Sequence, residues 1–312
     1  MEAAMKLTRR EMLRGLVAAT AAAPFATFPN LLLAQDKPPV PDLAVINGLD
    51  PAANVRAAVA ALGGIGRFVT KGDRVTIKPN MGFGNPPEKA TTTDPRVVRA
   101  LAELALQAGA KRVMVIDNPC HKADIALEIC GVKAAMKGLD DVFVATITAE
   151  SFYREVKIPK AKSLTSAKVA IDVMDTDCLI NVPVAKSHGS AIVSFGMKNW
   201  MGAVYNRTPW HVLHNLHQAI ADMATFIRPR LTVLDATRAL TTNGPGGPGE
   251  IASLNTIVAG VDPVAVDSFG VTLSKWDGDA YTPLKIPYIA NAVAHGLGRS
   301  DVEALRIHRQ TV

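Results

Sequence analysis

Short apolar runs that alternate with helical patterns constrain the fold of this 312-residue chain more than any other feature. The runs LAVIN, RVTIKPN and KRVMVID are separated by helical patterns over residues 51–62 and 95–107. Continuous apolar strands flanked by helices of about a dozen residues are typical of a mostly parallel sheet. The sequence therefore predicts an α/β fold in which helices cover both faces of a mostly parallel sheet.

In residues 142–175 the alternation of apolar runs and helical patterns is interrupted. The runs FVATI, YREVKIP and AKVAID follow one another without intervening helices, which predicts a short antiparallel β insertion and leaves a small sub-domain over 142–175 open. The earlier pattern returns with CLINVPV, a helix over 209–226, LTVLDAT, and NTIVAGVDP leading into a helix over 264–275. We therefore assign residues 43–312 to one α/β domain.

The N-terminus has the pattern of a twin-arginine export signal. The sequence TRREML at residues 8–13 precedes a weakly apolar, alanine-rich stretch. We expect a signal peptide over residues 1–34, cleaved after Ala34 or Ala26, and a linker over residues 35–42. The twin-arginine translocase is then a partner during export, and the mature protein is periplasmic.

An uncleaved N-terminal membrane anchor is the alternative to a cleaved signal. No later stretch approaches the roughly 20 continuous apolar residues that a bilayer span requires. We therefore expect the protein not to be membrane-bound once the signal has been removed.

Charge and cysteine usage exclude several function classes. The net charge is +6, but the basic residues are scattered and only 5% of residues are aromatic, so nucleic-acid binding has little support. Cys120, Cys130 and Cys178 lack C-x-x-C spacing, which excludes an iron–sulfur cluster and leaves one disulfide open. The loop NGPGGPGE lacks the Lys-Ser/Thr of a phosphate-binding loop, and no serine-nucleophile motif is present.

Polar residues follow four predicted strands, and the carboxyl ends of parallel strands meet at one edge of a sheet. These residues are Lys78 and Asn80, Asp117 and His121, Lys186 and His188, and Asp235 and Arg238. The motif GMKNWMG adds Lys198 and Asn199. We predict that Lys198, Lys186, Lys78, Asn80, Asn199 and Asp235 bind an anionic ligand or cofactor, although strand ends also simply meet water.

Carboxylates and histidines elsewhere have plainer alternatives. Asp94-Pro95 and Asp262-Pro263 have the pattern of helix N-caps, so we assign them a structural role. His211, His214 and His217 are spaced by three residues on the predicted helix, so at most two neighbours could share one metal. Ordinary hydrogen-bonding histidines are the alternative for all three.

Seven segments together resemble the bacterial and archaeal family known as domain of unknown function 362. They are VTIKPN, TTTDPRVVRAL, GAKRVMVID, LINVPVAKSH, GMKNWMGA, LTVLDAT and DPVAVDS, and the resemblance covers roughly residues 43–275. The family has no settled reaction, so this resemblance implies a fold more than a function.

A more distant resemblance, to the nickel-pincer lactate racemase family, concerns spacing. That family has a catalytic histidine ten residues before the lysine that holds its cofactor, as do His188 and Lys198 here. The resemblance implies a nickel-ligating histidine at His214 and a second acid–base histidine at His121. Two departures argue against covalent cofactor attachment: Lys78-Pro79-Asn80 replaces the family's Thr-Arg-Pro segment, which helps to hold the substrate carboxylate, and only Gly196 remains of the glycine pair before the cofactor lysine.

Two functions fit these observations. The first is an exported enzyme that acts on a small carboxylate or phosphate, with His188 and His121 as acid–base groups. Its cofactor is unknown; a transition metal such as nickel, or a nickel-pincer-like cofactor, is a candidate, with His214 as metal ligand. The second is a periplasmic binding or carrier protein that uses the same crevice without chemistry.

Overall fold

An eleven-stranded sheet forms the centre of the computed structural model, which describes residues 39–312. The strands are β1 (Leu43–Asn47), β2 (Arg74–Pro79), β3 (Arg112–Asp117), β4 (Val142–Thr146), β5 (Tyr153–Lys157), β6 (Ser166–Ala170), β7 (Cys178–Val182), β8 (Val184–His188), β9 (Ile192–Ser194), β10 (Leu231–Leu240), β11 (Ile251–Ala252), β12 (Thr256–Gly260) and β13 (Ile307–Thr311). All except β5 and β6 belong to the large sheet. The predicted signal over residues 1–34 and most of the predicted linker lie outside the described residues.

The order of the main path is β13-β1-β12-β10-β7-β2-β3-β4. The neighbours β10, β7, β2, β3 and β4 are parallel, and the second half of β10 continues in parallel beside β8. Strand β12 is antiparallel to both β1 and β10, contrary to the parallel pattern expected for its run. The prediction of a mostly parallel sheet is confirmed, with β12 as the main exception.

The helices cover both faces of this sheet, as predicted. They are α1 (Pro51–Ala61), α2 (Pro95–Gln107), α3 (Ala123–Ile129), α4 (Val132–Ala135), α5 (Ile171–Met174), α6 (Gly196–Asn199), α7 (Thr208–Val212), α8 (Leu216–Phe226), α9 (Pro263–Val271) and α10 (Pro287–Ala294). Side chains of α1 and α2 belong to one buried core, and those of α8, α9 and α10 belong to another. Consecutive residues Val233 and Leu234 of β10 belong to different cores, because side chains alternate across a strand.

Aspartates start three of these helices. The side chain of Asp94 accepts a hydrogen bond from the amide of Arg96 at 2.9 Å, and that of Asp262 accepts from the amides of Val264 at 2.8 Å and Ala265 at 3.0 Å. Asp50 caps α1 in the same manner. The predicted N-cap role of the Asp-Pro pairs is confirmed.

The segment 142–175 contains the predicted antiparallel insertion in a smaller form. Strands β5 and β6 pair antiparallel as a separate two-stranded sheet. Strand β4 is instead the edge of the main sheet and runs parallel to β3. Only the ribbon of β5 and β6 is therefore antiparallel in this region.

The predicted helix over residues 209–226 is two helices, α7 and α8. The side chain of Asn215 accepts a hydrogen bond from the amide of Gln218 at 3.1 Å and so starts α8 anew. As a result His211 lies in α7, His214 in the connection and His217 in α8. The prediction that the three histidines lie on one helix is therefore wrong, and their spacing of three residues does not place them on a common helix face.

The described residues include no helix that is both long enough and apolar enough to cross a membrane.

Candidate functional site

A cavity of about 330 Å³ lies at the carboxyl ends of β2, β3 and β8. Six of the predicted site residues line it: Lys78, Asn80, Lys186, His188, Lys198 and Asn199. Lys186 and His188 are two residues apart on β8, so their side chains leave the same face of the strand. The predicted gathering of polar residues at this edge of the sheet is found for these six.

The floor of the cavity is an ion pair between neighbouring strand ends. Lys78 Nζ lies 2.8 Å from Asp117 Oδ1, and both side chains are almost completely buried. The same ammonium donates to the carbonyl of Pro79 at 2.8 Å and to Asn199 Oδ1 at 3.0 Å. Lys78 therefore makes two hydrogen bonds and one ion pair within the protein. Its burial lowers its pKa, and the charge of Asp117 opposes that effect.

The amides of Asn199 and Asn80 tie this floor to the surrounding backbone. Asn199 Nδ2 donates to the carbonyl of Lys78 at 3.1 Å and to Asn181 Oδ1 at 2.9 Å. Asn80 Oδ1 accepts from the amide of Gly82 at 3.2 Å. Both side chains therefore hold the floor in place while they face the cavity.

The motif GMKNWMG is shaped by a buried carboxylate and two close approaches. Asp267 accepts hydrogen bonds from the amides of Gly196 at 2.7 Å and Met197 at 3.0 Å, at the start of α6. A Cβ on Gly196 would lie 2.7 Å from Asp267 Oδ1, and one on Gly202 would lie 2.0 Å from Asp117 Oδ1. Only glycine allows these contacts, so Asp267 and the two glycines position Lys198. Burial raises the pKa of Asp267 to about 7.

Lys186 and Lys198 are buried cations without a carboxylate partner among the described residues. Lys186 Nζ donates to the carbonyl of Thr91 at 2.6 Å and lies 4.2 Å from the centre of the Phe83 ring. Among the described residues, the only hydrogen-bond acceptor of Lys198 Nζ is the thioether sulfur of Met201, at 3.4 Å. Burial lowers the pKa of Lys186 to about 7 and that of Lys198 to about 8.

His188 is held in one tautomer. Its Nδ1 accepts hydrogen bonds from the amides of Ser190 at 3.1 Å and Ala191 at 3.3 Å, so the proton of the neutral ring is on Nε2. Burial, followed by the charges of Lys198 and Lys186, lowers the pKa of His188 to about 2. His188 is therefore a neutral hydrogen-bond donor toward the cavity, and its Nδ1 is not available as a base.

Asp117, one of the polar residues expected at the strand ends, also lines the cavity. The structure adds residues that were not predicted there: Gly82, Phe83, Asn118, Cys120, Ser194, Met201, Gly202, Arg207, His211 and Pro245. The ring of His211 stacks on that of His188, with centroids 6.4 Å apart and planes inclined by 10°. Arg207 donates to the carbonyls of Asn118 at 2.8 Å and Pro119 at 2.5 Å. The histidine spacing contained a signal for His211, whereas nothing near Arg207 in the sequence marks it.

Three predicted site residues lie outside the cavity. His121 is exposed, and its Nδ1 accepts from the amide of Gly84 at 3.1 Å. Asp235 is buried and accepts from the amide of Asp94 at 2.7 Å and from Thr237 Oγ1 at 2.7 Å. His214 Nδ1 lies 3.0 Å from Ser163 Oγ. The chain after β3 and the connection before α8 place His121 and His214 outside the cavity.

The predicted nickel arrangement does not fit these positions. Lys198 and His188 share the cavity, as the resemblance implies, but His214 does not reach it. Within residues 39–312, no group of three or more His, Cys, Asp or Glu side chains is arranged to hold a metal ion. His214 therefore lies apart from the cavity that contains His188 and Lys198.

Sequence comparison identifies the family. Residues 75–272 match the family model described as domain of unknown function (DUF362). This chain belongs to the DUF362 family. The thylakoid-associated protein sll1697 of Synechocystis is 30% identical over 260 residues, which cover 80% of this chain and 77% of that relative. The predicted family resemblance is confirmed.

Two solved structures resemble part of this DUF362 chain. The lactate racemase apoprotein of Thermoanaerobacterium thermosaccharolyticum covers 61% of this chain with a TM-score of 0.41 and 11% identity. A Thermotoga maritima protein covers 59% with a TM-score of 0.37 and 14% identity. The match spans 50% and 51% of those two chains, about half of each. Likeness at this level carries no conclusion about activity.

Proposed function

We propose that this DUF362 protein is an enzyme that binds a small anionic molecule, a carboxylate or a phosphate, in the cavity. The observation that carries the proposal is the pair of buried ammonium groups, Lys186 and Lys198, beside the cavity without a carboxylate partner in the described part of the chain. Arg207 adds a third cation to the lining. A bound anion would supply the missing negative charge.

The energetics of burial support an anion in this position. Removing an unpaired charge from water is costly, and the usual response is a shift of pKa toward the neutral form. The pKa values of Lys186 and Lys198, about 7 and about 8, are shifted in this direction, toward the neutral amine. Burial also lowers the pKa of Lys78, but there the charge of its partner Asp117 opposes the effect, and Lys186 and Lys198 have no such carboxylate.

The tautomer of His188 supports a chemical role beyond binding. A neutral imidazole that donates from Nε2 can stabilise negative charge developing on a substrate oxygen, or pass a proton to it. Since backbone amides occupy Nδ1, we propose His188 as the hydrogen-bond donor or acid of the reaction instead of its base. The ring of His211, stacked on His188, is the nearest second imidazole on the cavity wall.

Calorimetric titration tests the binding function. Wild-type protein should bind phosphate or a small carboxylate at one site, and Lys198→Met should weaken that binding. Lys111→Met removes an exposed lysine and serves as the matched control. If all three proteins bind alike, or if none binds any of these anions, the proposal is wrong.

The variant His188→Gln distinguishes the proposal of an enzyme from the alternative of a binding or carrier protein. The glutamine amide retains a donor, so binding should change only modestly, whereas a reaction that needs the imidazole should lose about 100-fold or more in rate. A binding or carrier protein would show the modest change in affinity and no turnover in either protein.

We further propose that the protein is exported to the periplasm through its twin-arginine motif. Export of this kind depends on both arginines, Arg9 and Arg10. Replacing both with lysine should leave the full-length precursor in the cytoplasmic fraction, detected by immunoblot after cell fractionation. Unchanged periplasmic recovery of the double variant would contradict this part of the proposal.

A further inference from the structure

We propose that Lys198 is a nucleophile that forms an imine with the carbonyl group of a 2-oxo acid held in the cavity. The inference rests on the anion-binding function proposed above and names a substrate class for it. It concerns the one cavity lysine whose amine has no oxygen partner among the described residues.

The three cavity lysines differ in what their amines contact. Lys78 Nζ is surrounded by the carboxylate of Asp117, a carbonyl and an amide oxygen, which hold it as an ammonium. Lys186 Nζ donates to the carbonyl of Thr91 and lies against the Phe83 ring, two contacts that also favour a cation. Lys198 Nζ has only the sulfur of Met201, which is a weak acceptor. Lys198 is therefore the one of these three amines that has no oxygen acceptor among the described residues.

The surroundings of Lys198 favour the unprotonated amine. Lys198 is only 8% exposed; the charge of Arg207 adds to the effect of burial in lowering its pKa, whereas Cys120 opposes it. Burial lowers its pKa to about 8, so a fraction of the amine is uncharged near neutral pH. Desolvation beside another cation is a known way to activate a lysine for attack on a carbonyl.

The lining also contains groups for the rest of a 2-oxo acid. Arg207 remains a charged donor for the carboxylate when Lys198 is the nucleophile, and the amine of Lys186 offers further N–H donors. His188, with its proton on Nε2, is a donor for the carbonyl oxygen. A ligand that has both a carboxylate and a neighbouring carbonyl uses all of these groups at once.

The step is balanced without a further reactant. The Lys198 lone pair forms an N–C bond to the carbonyl carbon, and the C=O π electrons move to the oxygen, which accepts a hydrogen bond from His188 Nε2. One N–H proton of the resulting ammonium passes to that oxygen and gives a neutral carbinolamine. Loss of the second N–H proton together with the hydroxyl group releases one water and leaves a C=N bond. No oxidant or reductant takes part.

Reductive trapping tests the inference. The mature protein is incubated with pyruvate and sodium borohydride, and its intact mass is measured with and without the borohydride. We expect one reduced pyruvyl adduct per chain, located on the peptide that contains Lys198. Lys198→Arg keeps the charge but should lose the adduct, whereas Lys111→Arg should keep it.

A parallel titration with phosphate, an anion without a carbonyl, distinguishes the two proposals. Phosphate binding without any pyruvyl adduct overturns the imine and leaves the anion site intact, whereas loss of both overturns both. An adduct on Lys186, or one of equal yield on surface lysines of Lys198→Arg, also overturns the inference. If Lys198→Arg does not fold, as judged by its circular dichroism, Lys198→Met replaces it, because methionine fits a buried position without a charge.

Discussion

Two buried polar clusters in this molecule differ in whether protein groups compensate their charges. In the first, which we call the Asp222 cluster, Asp222 accepts hydrogen bonds from the amides of residues 162–164, from Gln218 and from His295. The five donor–acceptor distances lie between 2.8 and 3.0 Å. In the second, the cavity, Lys186 and Lys198 have no carboxylate partner among the residues described.

The difference separates a structural cluster from a binding site. Burial by itself raises the pKa of Asp222, but the hydrogen bonds from Lys162, Leu164, Gln218 and Ser163 lower it overall. Its charge is therefore stabilised by the fold alone. The pKa values of the two unpaired lysines are lowered by burial, so their charges are not stabilised by the fold. A ligand is needed only where the fold leaves charge uncompensated.

The largest expected effect is loss of stability when the Asp222 cluster is broken. Asp222→Ala leaves three backbone amides and two side chains without their acceptor, which should lower the free energy of unfolding by about 3 to 5 kcal/mol. Urea denaturation measures this change, with the exposed Asp140→Ala as control. A loss no larger than that of Asp140→Ala would mean that the cluster is not structural.

Removing the unpaired cation should act in the opposite direction. Lys198→Met replaces a buried ammonium with an apolar side chain, so the free energy of unfolding at pH 7 should rise by about 1 to 4 kcal/mol. In the same protein, phosphate affinity should fall about 10- to 100-fold through loss of one charged hydrogen bond. Destabilisation with unchanged affinity would show that Lys198 is part of the structure and not of a binding site.

Phosphate affinity should depend on pH over the range in which the cavity lysines titrate. The folded-state pKa values of about 7 and about 8 lie below the usual value of 10.5, so the folded protein holds fewer protons than the unfolded chain above pH 7. Stability of the ligand-free protein should therefore rise with pH, while phosphate affinity falls about tenfold from pH 7 to pH 9. Titrations in buffers of different ionisation enthalpy should detect proton uptake on binding. Affinity that is constant over this range would contradict anion binding by these two lysines.

The smallest effect is expected at His214, which borders the Asp222 cluster through Ser163. His214→Gln removes one partly buried hydrogen bond and should cost about 1 kcal/mol or less in unfolding free energy. Phosphate affinity should not change, because His214 does not line the cavity. A marked loss of affinity in this variant would return His214 to the site.

The fold was largely predictable because apolar runs mark strands and capping residues mark helix starts, and both are features of short stretches of sequence. Asp94-Pro95 starts α2 at the predicted residue, and the strands up to β4 follow the predicted runs. The break between α7 and α8 was not predicted, because Asn215 also occurs inside helices and only its contact with Gln218 makes it a cap. The direction of β12 was missed for a similar reason, since an apolar run does not encode the orientation of its neighbours.

The site was predictable only in part. Lys78, Lys186 and His188 come directly from strand positions near one edge of the sheet, which is a local feature of the sequence. His121 and Arg207 depend on the path of the chain after the strand or helix, which apolar periodicity does not determine. His121 therefore lies outside the cavity, and Arg207 lies within it.

The sequence by itself determined the α/β class, the family and the placement of cations at the carboxyl edge, because each depends on local patterns along the chain. Only the tertiary structure decided which cations have partners. Lys78 meets Asp117 across two neighbouring strands, whereas Lys198 on α6 meets only a thioether. Charge compensation depends on distances between residues far apart in the chain, and those distances exist only once the chain is folded.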